Sequence, residues 1–254
     1  SNTLTGTLGD DVINGLGGND TVNATQGADV IDGGLGTDRL TITMGDAARF
    51  ATATGPRTYT ITTNSAIDSS GTLNTSMTSI ERITISTAGT GDFGETIDAS
   101  GFVAAATTAF VLNATTGNGN DSVTGTARND FIQTGLGDDT VDGGAGNDVI
   151  QLGLGINSAD GGDGNDEVRA RYDNSTGDTL FVTASGGTVM TTHNSLVTNT
   201  IVNAEIVAIE YSDFNAATRV DASGLTGFAG LLVFYDNNAS NVSIGSAGRD
   251  MFAN

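Results

Sequence analysis

Apolar residues recur every nine positions in two long stretches of this chain. From Gly6 to Thr41 the sequence divides without gaps into GTLGDDVIN, GLGGNDTVN, ATQGADVID and GGLGTDRLT. A second stretch, from Thr116 to Arg169, divides into TGNGNDSVT, GTARNDFIQ, TGLGDDTVD, GGAGNDVIQ, LGLGINSAD and GGDGNDEVR. Another unit, GSAGRDMFA, covers residues 245–253. Because the eighth position is apolar in every unit, the pattern predicts a repeating fold with one inward side chain per unit.

The pattern within each unit predicts a six-residue turn followed by a three-residue strand. The last three residues generally alternate polar, apolar, polar, which is typical of a strand with one buried side chain. Two units then form one flattened coil of eighteen residues, with turns on both edges. The predicted fold is all-β, a parallel β-roll or β-helix solenoid interspersed with β-strand spacer segments.

The turns carry the candidate chemistry, because aspartate occupies the sixth position in every unit but one. The sixth-position residues are Asp11, Asp20, Asp29, Asp38, Asp121, Asp130, Asp139, Asp148, Asn157, Asp166 and Asp250. Glycine recurs at the first, second and fourth positions, where a tight loop needs positive φ or close backbone approach. The candidate glycines are Gly6, Gly9, Gly15, Gly18, Gly27, Gly34, Gly36, Gly117, Gly119, Gly135, Gly137, Gly144, Gly146, Gly162 and Gly164.

The spacing of these aspartates fits calcium. Stacked strands lie about 4.8 Å apart, and calcium takes oxygen ligands at about 2.3–2.6 Å, so one ion fits between two stacked turns. Backbone carbonyls of the glycine loops would supply further ligands. The expected pairs are Asp11 with Asp29, Asp20 with Asp38, Asp121 with Asp139, Asp130 with Asp148, and Asp148 with Asp166. A sixth pair, Asp139 with Asn157, has lost one charge and is expected to be weaker, and Ala159 makes its coil the soft point of the array.

Without a cation this arrangement is unfavourable. Two carboxylates about 5 Å apart repel by roughly 3 kcal/mol at an effective dielectric constant of 20, and a whole domain is typically stable by only about 5–15 kcal/mol. We therefore predict at least five bound calcium ions and folding that is coupled to the metal.

The charge of the chain agrees with a cationic ligand. Thirty acidic residues stand against nine arginines, which gives a formal charge of −21, and cysteine is absent. This composition excludes disulfides, zinc–thiolate sites and cysteine nucleophiles, and it argues against nucleic acid or an anionic membrane as a partner.

No apolar run approaches the roughly 18 residues of a membrane span, and the start SNTLTGTLGDD is not typical of a secretory leader. A low-complexity linker would not keep aspartates and aliphatic residues in strict register.

The segments between the repeats align with each other. YTI at 59–61 matches LFV at 180–182, SIERITI at 79–85 matches NAEIVAI at 203–209, and the DASG sequences begin at Asp98 and Asp221. The chain is therefore read as a tandem duplication of array plus spacer, with the spacers carrying the larger core residues. The predicted segments are a first array at 1–41, a spacer at 42–115, a second array at 116–169, a spacer at 170–244 and the start of a further array at 245–254.

Few other residues point to chemistry. His193, the single histidine, has no nucleophile or acid near it in sequence, so we expect a surface residue and no enzyme activity. Glu81 and Glu205 occupy equivalent places in the two spacers and are expected on solvated strand faces. Spacer aspartates that could bind further calcium are Asp92, Asp98, Asp213 and Asp221.

The nine-residue pattern G-G-x-G-x-D-x-U-x resembles the calcium-binding repeat of RTX proteins. That resemblance implies a β-roll with calcium between its turns, and export by type I secretion through a C-terminal signal. The spacers, with an NxEx-like strand, a DASG turn and Asn-Ala-Thr before the second array, are similar to the C-terminal assembly regions of RTX-type bacterial S-layer proteins.

The leading hypothesis is therefore an extracellular, calcium-dependent structural protein at the bacterial cell surface, a segment of a self-assembling S-layer. It would have itself and calcium as partners, and a cell-surface glycan as a further candidate. The alternatives are the C-terminal secretion and folding module of an RTX enzyme, and an RTX adhesin.

Overall fold

The structure is a computed structural model that describes most of the chain. The described residues are 1–44, 55–88, 93–104, 109–172, 179–185, 188–193, 196–211, 219–225, 231–235, 242–244 and 250–253. Beyond residue 171, the described side chains are those of 188–191 and 199–209.

The described residues form 25 strands, most of them short. They are β1 (Thr3–Thr5), β2 (Val12–Asn14), β3 (Thr21–Asn23), β4 (Val30–Asp32), β5 (Arg39–Thr43), β6 (Thr58–Thr62), β7 (Ser65–Asp68), β8 (Asn74–Thr78), β9 (Arg82–Ser86), β10 (Thr96–Gly101), β11 (Leu112–Thr115), β12 (Ser122–Thr124), β13 (Phe131–Gln133), β14 (Thr140–Asp142), β15 (Val149–Leu152), β16 (Asn157–Asp160), β17 (Glu167–Tyr172), β18 (Thr179–Ser185), β19 (Thr188–His193), β20 (Leu196–Val202), β21 (Ile206–Tyr211), β22 (Arg219–Leu225), β23 (Leu231–Tyr235), β24 (Val242–Ile244) and β25 (Asp250–Ala253). In the arrays they fall at the last three positions of the units, as predicted.

The strands alternate between two facing sheets. Sheet I has eleven strands in the order β1-β3-β5-β9-β11-β13-β15-β17-β21-β23-β25, and its neighbours pair in parallel. Sheet II has fourteen, in the order β2-β4-β8-β7-β6-β10-β12-β14-β16-β20-β19-β18-β22-β24. Within the arrays each residue pairs with the one eighteen positions later, such as Val12 with Val30 and Thr140 with Ser158. The predicted eighteen-residue coil is confirmed.

The spacers continue the solenoid instead of interrupting it. Sheet I passes through the first spacer by pairing β5 with β9 and β9 with β11. Sheet II makes a detour there, because β6, β7 and β8 form an antiparallel meander between β4 and β10. The second spacer repeats this topology with β18, β19 and β20 between β16 and β22. The duplication that the sequence indicates is therefore present in the strand order.

One apolar core runs through arrays and spacers. Eighth-position residues such as Val22, Ile31 and Leu40 are buried, while Ile13 in the first coil is only partly buried. The spacers add the largest fully buried side chains, Tyr59 and Phe102. No helix in the described part of the chain is long and apolar enough to cross a membrane.

Candidate calcium sites

The sixth-position residues form two columns, one along each edge of the solenoid. We define column I as the residues directly before strands of sheet I: Asp20, Asp38, Asp130, Asp148 and Asp166. We define column II as the residues directly before strands of sheet II, or at the first residue in the case of Asn157: Asp11, Asp29, Asp121, Asp139 and Asn157. The pairs predicted from the spacing therefore do lie on adjacent coils.

Within each column, a backbone N–H donates to the side chain one coil further on. The Asp130 N–H donates to Asp148 Oδ1 at 2.8 Å, and the Asp148 N–H donates to Asp166 Oδ1 at 2.8 Å. The same bond joins the predicted pairs Asp11 with Asp29, Asp20 with Asp38, Asp121 with Asp139, and Asp139 with Asn157. One carboxylate oxygen of each stacked aspartate is thus satisfied by the backbone, which leaves the other for a different ligand.

The second oxygen is buried and accepts no hydrogen bond in most of these aspartates. These oxygens are Oδ2 of Asp20, Asp38, Asp121, Asp139, Asp148 and Asp166. Burying an unsatisfied carboxylate oxygen is costly, so each of these positions favours the binding of a cation or a proton. Carboxylate and carbonyl oxygens are the ligands that calcium prefers.

The aspartates whose Oδ2 is paired are those of units with threonine at the second position. Where that residue is threonine, it bonds Oδ2: the Thr7 N–H donates to Asp11 at 2.6 Å, and the Thr25 hydroxyl donates to Asp29 at 3.1 Å. Thr126 donates to Asp130 in the same way, through its backbone N–H. Where the position holds glycine or leucine, Oδ2 has no partner. In the pairs Asp20–Asp38, Asp121–Asp139 and Asp148–Asp166, Oδ2 of both aspartates therefore accepts no hydrogen bond. The sequence pattern did not reveal this distinction.

First-position glycines leave the space beside four of these oxygens, Oδ2 of Asp20, Asp38, Asp148 and Asp166, whereas Thr116 and Thr134 hold the first position in the units of Asp121 and Asp139. A Cβ on Gly143 would lie 2.6 Å from Asp148 Oδ2 and 2.5 Å from the Gly161 carbonyl oxygen of the next coil. A Cβ on Gly125 would meet Asp130 Oδ2 at 2.7 Å and would also contact the Gly143 carbonyl. A carboxylate oxygen and a carbonyl oxygen therefore converge where a side chain is missing, and the residues fit a calcium ion. Four first-position glycines were not among the candidates chosen from the sequence: Gly33, Gly125, Gly143 and Gly161.

Second- and fourth-position glycines shape the turns. Gly34, Gly144 and Gly162 have φ between 90° and 96°, and fourth-position glycines such as Gly137 and Gly164 also have positive φ. A Cβ at these positions would collide with backbone one coil earlier, as at Gly162 with the Gly144 carbonyl. The predicted need for positive φ or close approach is confirmed at these glycines. Gly9 is an exception, since a Cβ there would meet nothing closer than 3.9 Å.

A second, exposed ladder supports the turns from outside. Fifth-position side chains accept from the backbone one coil further on, as Asn19 Oδ1 does from the Thr37 N–H at 3.0 Å and Asn120 Oδ1 from the Asp138 N–H at 2.9 Å. These bonds run in the opposite direction to those of the two columns. They align successive turns without using the column aspartates.

Burial raises the pKa of several column aspartates. It raises the pKa of Asp148 to about 8, where the charges of Asp130 and Asp166 act in the same direction. Burial also raises the pKa of Asp130 and Asp139 to about 6 each, and raises the pKa of Asp29, Asp121 and Asp166. Burial is the largest cause and repulsion between neighbours a smaller one, so desolvation contributes more than the sequence analysis assumed. A bound cation would remove this penalty.

In the coil with Asn157, the sixth-position side chain is fully hydrogen-bonded within the protein. Its Oδ1 accepts from the Asp139 N–H, as an aspartate would, but its Nδ2 donates to the Gly153 carbonyl at 3.0 Å and to Asn199 Oδ1 at 3.1 Å. The amide group thus bonds the oxygens that would otherwise face a cation. This rung, predicted to be a weakened metal site, is held together by direct hydrogen bonds.

The expectation that Glu81 and Glu205 lie on solvated strand faces is correct in exposure for Glu205, which is exposed, and wrong in placement for both. Neither residue lies on a strand, because they directly precede β9 and β21. Each accepts a hydrogen bond from the last aspartate of column I in its array, Asp38 and Asp166 respectively. The sequence analysis could not find this role, since it depends on the spacer returning to the column.

The remaining candidates are the spacer aspartates, the aspartate of the last repeat unit and the single histidine. Asp98, in β10, accepts from the Ser100 N–H and hydroxyl in a local turn. Asp250 begins β25, but its side chain lies outside the described residues, as do those of Asp221 and His193. Asp92 and Asp213 lie outside the described residues altogether. Within the described part of the chain no three acidic or histidine side chains converge, so each candidate site has two acids at most and depends on backbone carbonyls.

Comparison with protein families gives matches at residues 5–40, 115–150 and 144–174. These segments match the RTX calcium-binding nonapeptide repeat, in four copies. RTX repeats bind calcium, and RTX proteins are typically secreted. The matched segments coincide with the two arrays, where the RTX repeats build the columns described above. No curated protein matches the chain.

Proposed function

We propose that this chain is a segment of an extracellular structural protein that assembles into a bacterial surface layer when calcium is bound. In this role calcium folds each array and also bridges acidic neighbours within the layer. The role is mechanical, not catalytic.

The observation that carries this proposal is the duplication of array plus spacer. Array and spacer occur twice in one continuous pair of sheets, and both spacers insert the same three-stranded meander into sheet II. A secretion or folding module needs only one array. A repeated body that presents the same meander twice along one sheet is suited to making the same lateral contact more than once.

The charge supports assembly that depends on calcium. At a formal charge of −21, copies of the chain repel one another. Calcium at millimolar concentration, the range of weak extracellular sites, would reduce that repulsion while filling the columns. At cytosolic calcium levels the arrays would stay unfolded, which suits export through a secretion channel.

The proposal is tested by negative-stain electron microscopy of the purified chain with excess chelator and with calcium well above the roughly 0.1–1 mM dissociation constants of weak extracellular sites. We expect ordered sheets with calcium and none with chelator. Asp148→Asn removes a column carboxylate but keeps the acceptor for the Asp130 N–H, and should raise the calcium concentration needed for assembly. Asp163→Asn removes the same charge from an exposed turn residue and should assemble like the parent chain.

Three results would contradict this role. A chain that binds calcium, folds and stays monomeric at every calcium concentration would support the alternative of a folding module attached to an enzyme. A folded monomer that is retained on cell-surface glycan would support the adhesin. Lattices that persist after chelation would show that calcium does not control assembly.

A further inference from the structure

Column I does not stop at the end of each array. The Asp38 N–H donates to Glu81 Oε2 at 2.8 Å, and the Asp166 N–H donates to Glu205 Oε2 at 2.8 Å. The bond from the Asp148 N–H to Asp166 Oδ1, inside the second array, has the same length. A spacer glutamate therefore takes the place of the next column aspartate at both junctions, although 43 and 39 residues separate the partners instead of 18.

The last aspartate at each junction has an unsatisfied oxygen. Asp38 and Asp166 are 0% and 1% exposed, and Oδ2 of each accepts no hydrogen bond. These oxygens lie 2.8 and 3.0 Å from the positions that a Cβ would take on Gly33 and Gly161. Both buried oxygens therefore point into a space that a first-position glycine keeps open, as within the arrays.

A backbone carbonyl completes each junction. The Ser79 carbonyl contacts the Cβ position of Gly33, and the Asn203 carbonyl contacts that of Gly161. Ser79 and Asn203 have φ of 53° and 48°, a left-handed conformation that residues other than glycine seldom adopt. Two different side chains hold this conformation at equivalent points of the two spacers, and in both cases it brings a carbonyl to the unsatisfied carboxylate.

We propose that each junction between array and spacer is an additional calcium site. Asp38, the Ser79 carbonyl and Glu81 form the first, and Asp166, the Asn203 carbonyl and Glu205 form the second. The inference rests on calcium binding by the arrays, but it concerns residues outside the nonapeptide pattern. An ion at each junction joins an array to the first coil of its spacer, so that the spacer docks only after the array has bound metal.

The positions of the ions can be measured on the unaltered chain. Crystals grown with calcium should give anomalous difference peaks within about 2.3–2.6 Å of Asp38 Oδ2 and the Ser79 carbonyl, and at the equivalent atoms of the second junction. Peaks in the arrays with none at either junction would overturn the inference and leave array binding intact. An absence of peaks everywhere would overturn both.

The number of ions gives an independent test. Glu81→Gln and Glu205→Gln keep the acceptor for the aspartate N–H but remove the charge, so each should release one calcium per chain, and the double variant two, as measured by equilibrium dialysis and elemental analysis. Far-UV circular dichroism at saturating calcium verifies that the variants are folded. Glu167→Gln is the control, because Glu167 lies next to Asp166 but pairs with Arg169, and it should keep the full count. An unchanged count in the double variant would refute the junction sites.

Discussion

At the scale of single residues, each unit depends on a few atoms around one aspartate. Oδ1 of the sixth-position residue is bound to backbone in every pair of stacked coils. The second side-chain atom varies: Oδ2 is bonded by a threonine or has no partner, and in Asn157 the amide nitrogen Nδ2 takes its place. The choice among these three is made by one or two residues of the turn. Single substitutions should therefore convert one kind of rung into another.

Gly143→Ala should destabilise the second array, because its Cβ would lie 2.6 Å from Asp148 Oδ2 and 2.5 Å from the Gly161 carbonyl. We expect a loss of about 1–3 kcal/mol in the free energy of unfolding at saturating calcium, typical of overpacking a rigid site, together with weaker calcium binding. Urea unfolding and calcium titration measure both. Gly9→Ala is the matched control and should change little, since its Cβ meets only the Thr7 hydroxyl at 3.9 Å.

Asn157→Asp should make the coil around Ala159 dependent on metal. The substitution removes two amide donors and places a carboxylate oxygen against the Gly153 carbonyl, so the metal-free chain should lose stability while the chain in calcium binds one more ion. Thermal unfolding with and without chelator gives the first effect, and ion counting gives the second. Asn165→Asp adds the same charge at an exposed turn position. If the two variants have the same metal-free stability and the same number of bound ions, the sixth-position residue of column II at this coil does not determine calcium binding.

At the scale of elements, the meander of the first spacer is closed internally by contacts that need no metal. In the first spacer the meander of β6, β7 and β8 is closed by Asp68, which accepts from the Arg57 guanidinium at 3.0 Å, the Ser70 hydroxyl at 2.6 Å and the Leu73 N–H at 3.1 Å. Both partners of the ion pair are buried, with side chains 9% and 0% exposed. This element should keep its structure when the arrays lose calcium.

Asp68→Ala should cost about 3–5 kcal/mol, because it leaves the Arg57 charge buried without its partner. The comparison variant is Glu167→Ala, which breaks the more exposed pair with Arg169 and should cost about 0–1 kcal/mol, although that pair is shorter at 2.6 Å. Chemical unfolding in calcium measures both. Equal losses would show that burial does not set the strength of these pairs.

The strands of the arrays could be predicted from the sequence, but the meanders could not. A strict nine-residue period fixes the position of every strand and places residues eighteen apart side by side, so the columns of Asp20 with Asp38 and Asp121 with Asp139 follow from spacing alone. The spacers have no such period. That their strands leave and rejoin sheet II, and that Glu81 returns to column I, depends on packing between distant residues. The pairing of Oδ2 in units with a second-position threonine was also hidden, since it depends on the direction of both the backbone N–H and the hydroxyl of that threonine.

At the scale of the whole molecule, stability is coupled to calcium and to pH. The eleven strands of sheet I span roughly 50 Å at about 4.8 Å per step, with candidate metal sites along both edges. Several buried aspartates have a raised pKa in the folded state, so without metal the folded chain binds protons more tightly than the unfolded chain does.

This difference gives an expected direction for the pH dependence. In chelator, the contribution from raised pKa values is fully present below the usual aspartate pKa near 3.8 and is lost as the pH rises through about 6 for Asp130 and Asp139 and about 8 for Asp148. The metal-free chain should therefore be more ordered at pH 4.5 than at pH 8, whereas in calcium the ordered fraction should stay high at pH 8. Far-UV circular dichroism across this range measures it. A metal-free chain that becomes more ordered as the pH rises would contradict the assignment of burial as the dominant cost.

The alternation of strands between two sheets imposes a rule of parity on any change of length. The arrays contain four and six units, both even numbers, so each spacer leaves from sheet I and begins its meander on sheet II. Deleting one nonapeptide would transfer every later strand to the opposite sheet and exchange the two columns. Each later meander would then have to form in sheet I instead of sheet II. Deleting two adjacent nonapeptides would shorten the rod by one rung and leave everything downstream in place. Lengthening and shortening of such a molecule should therefore be tolerated in steps of eighteen residues and resisted in steps of nine.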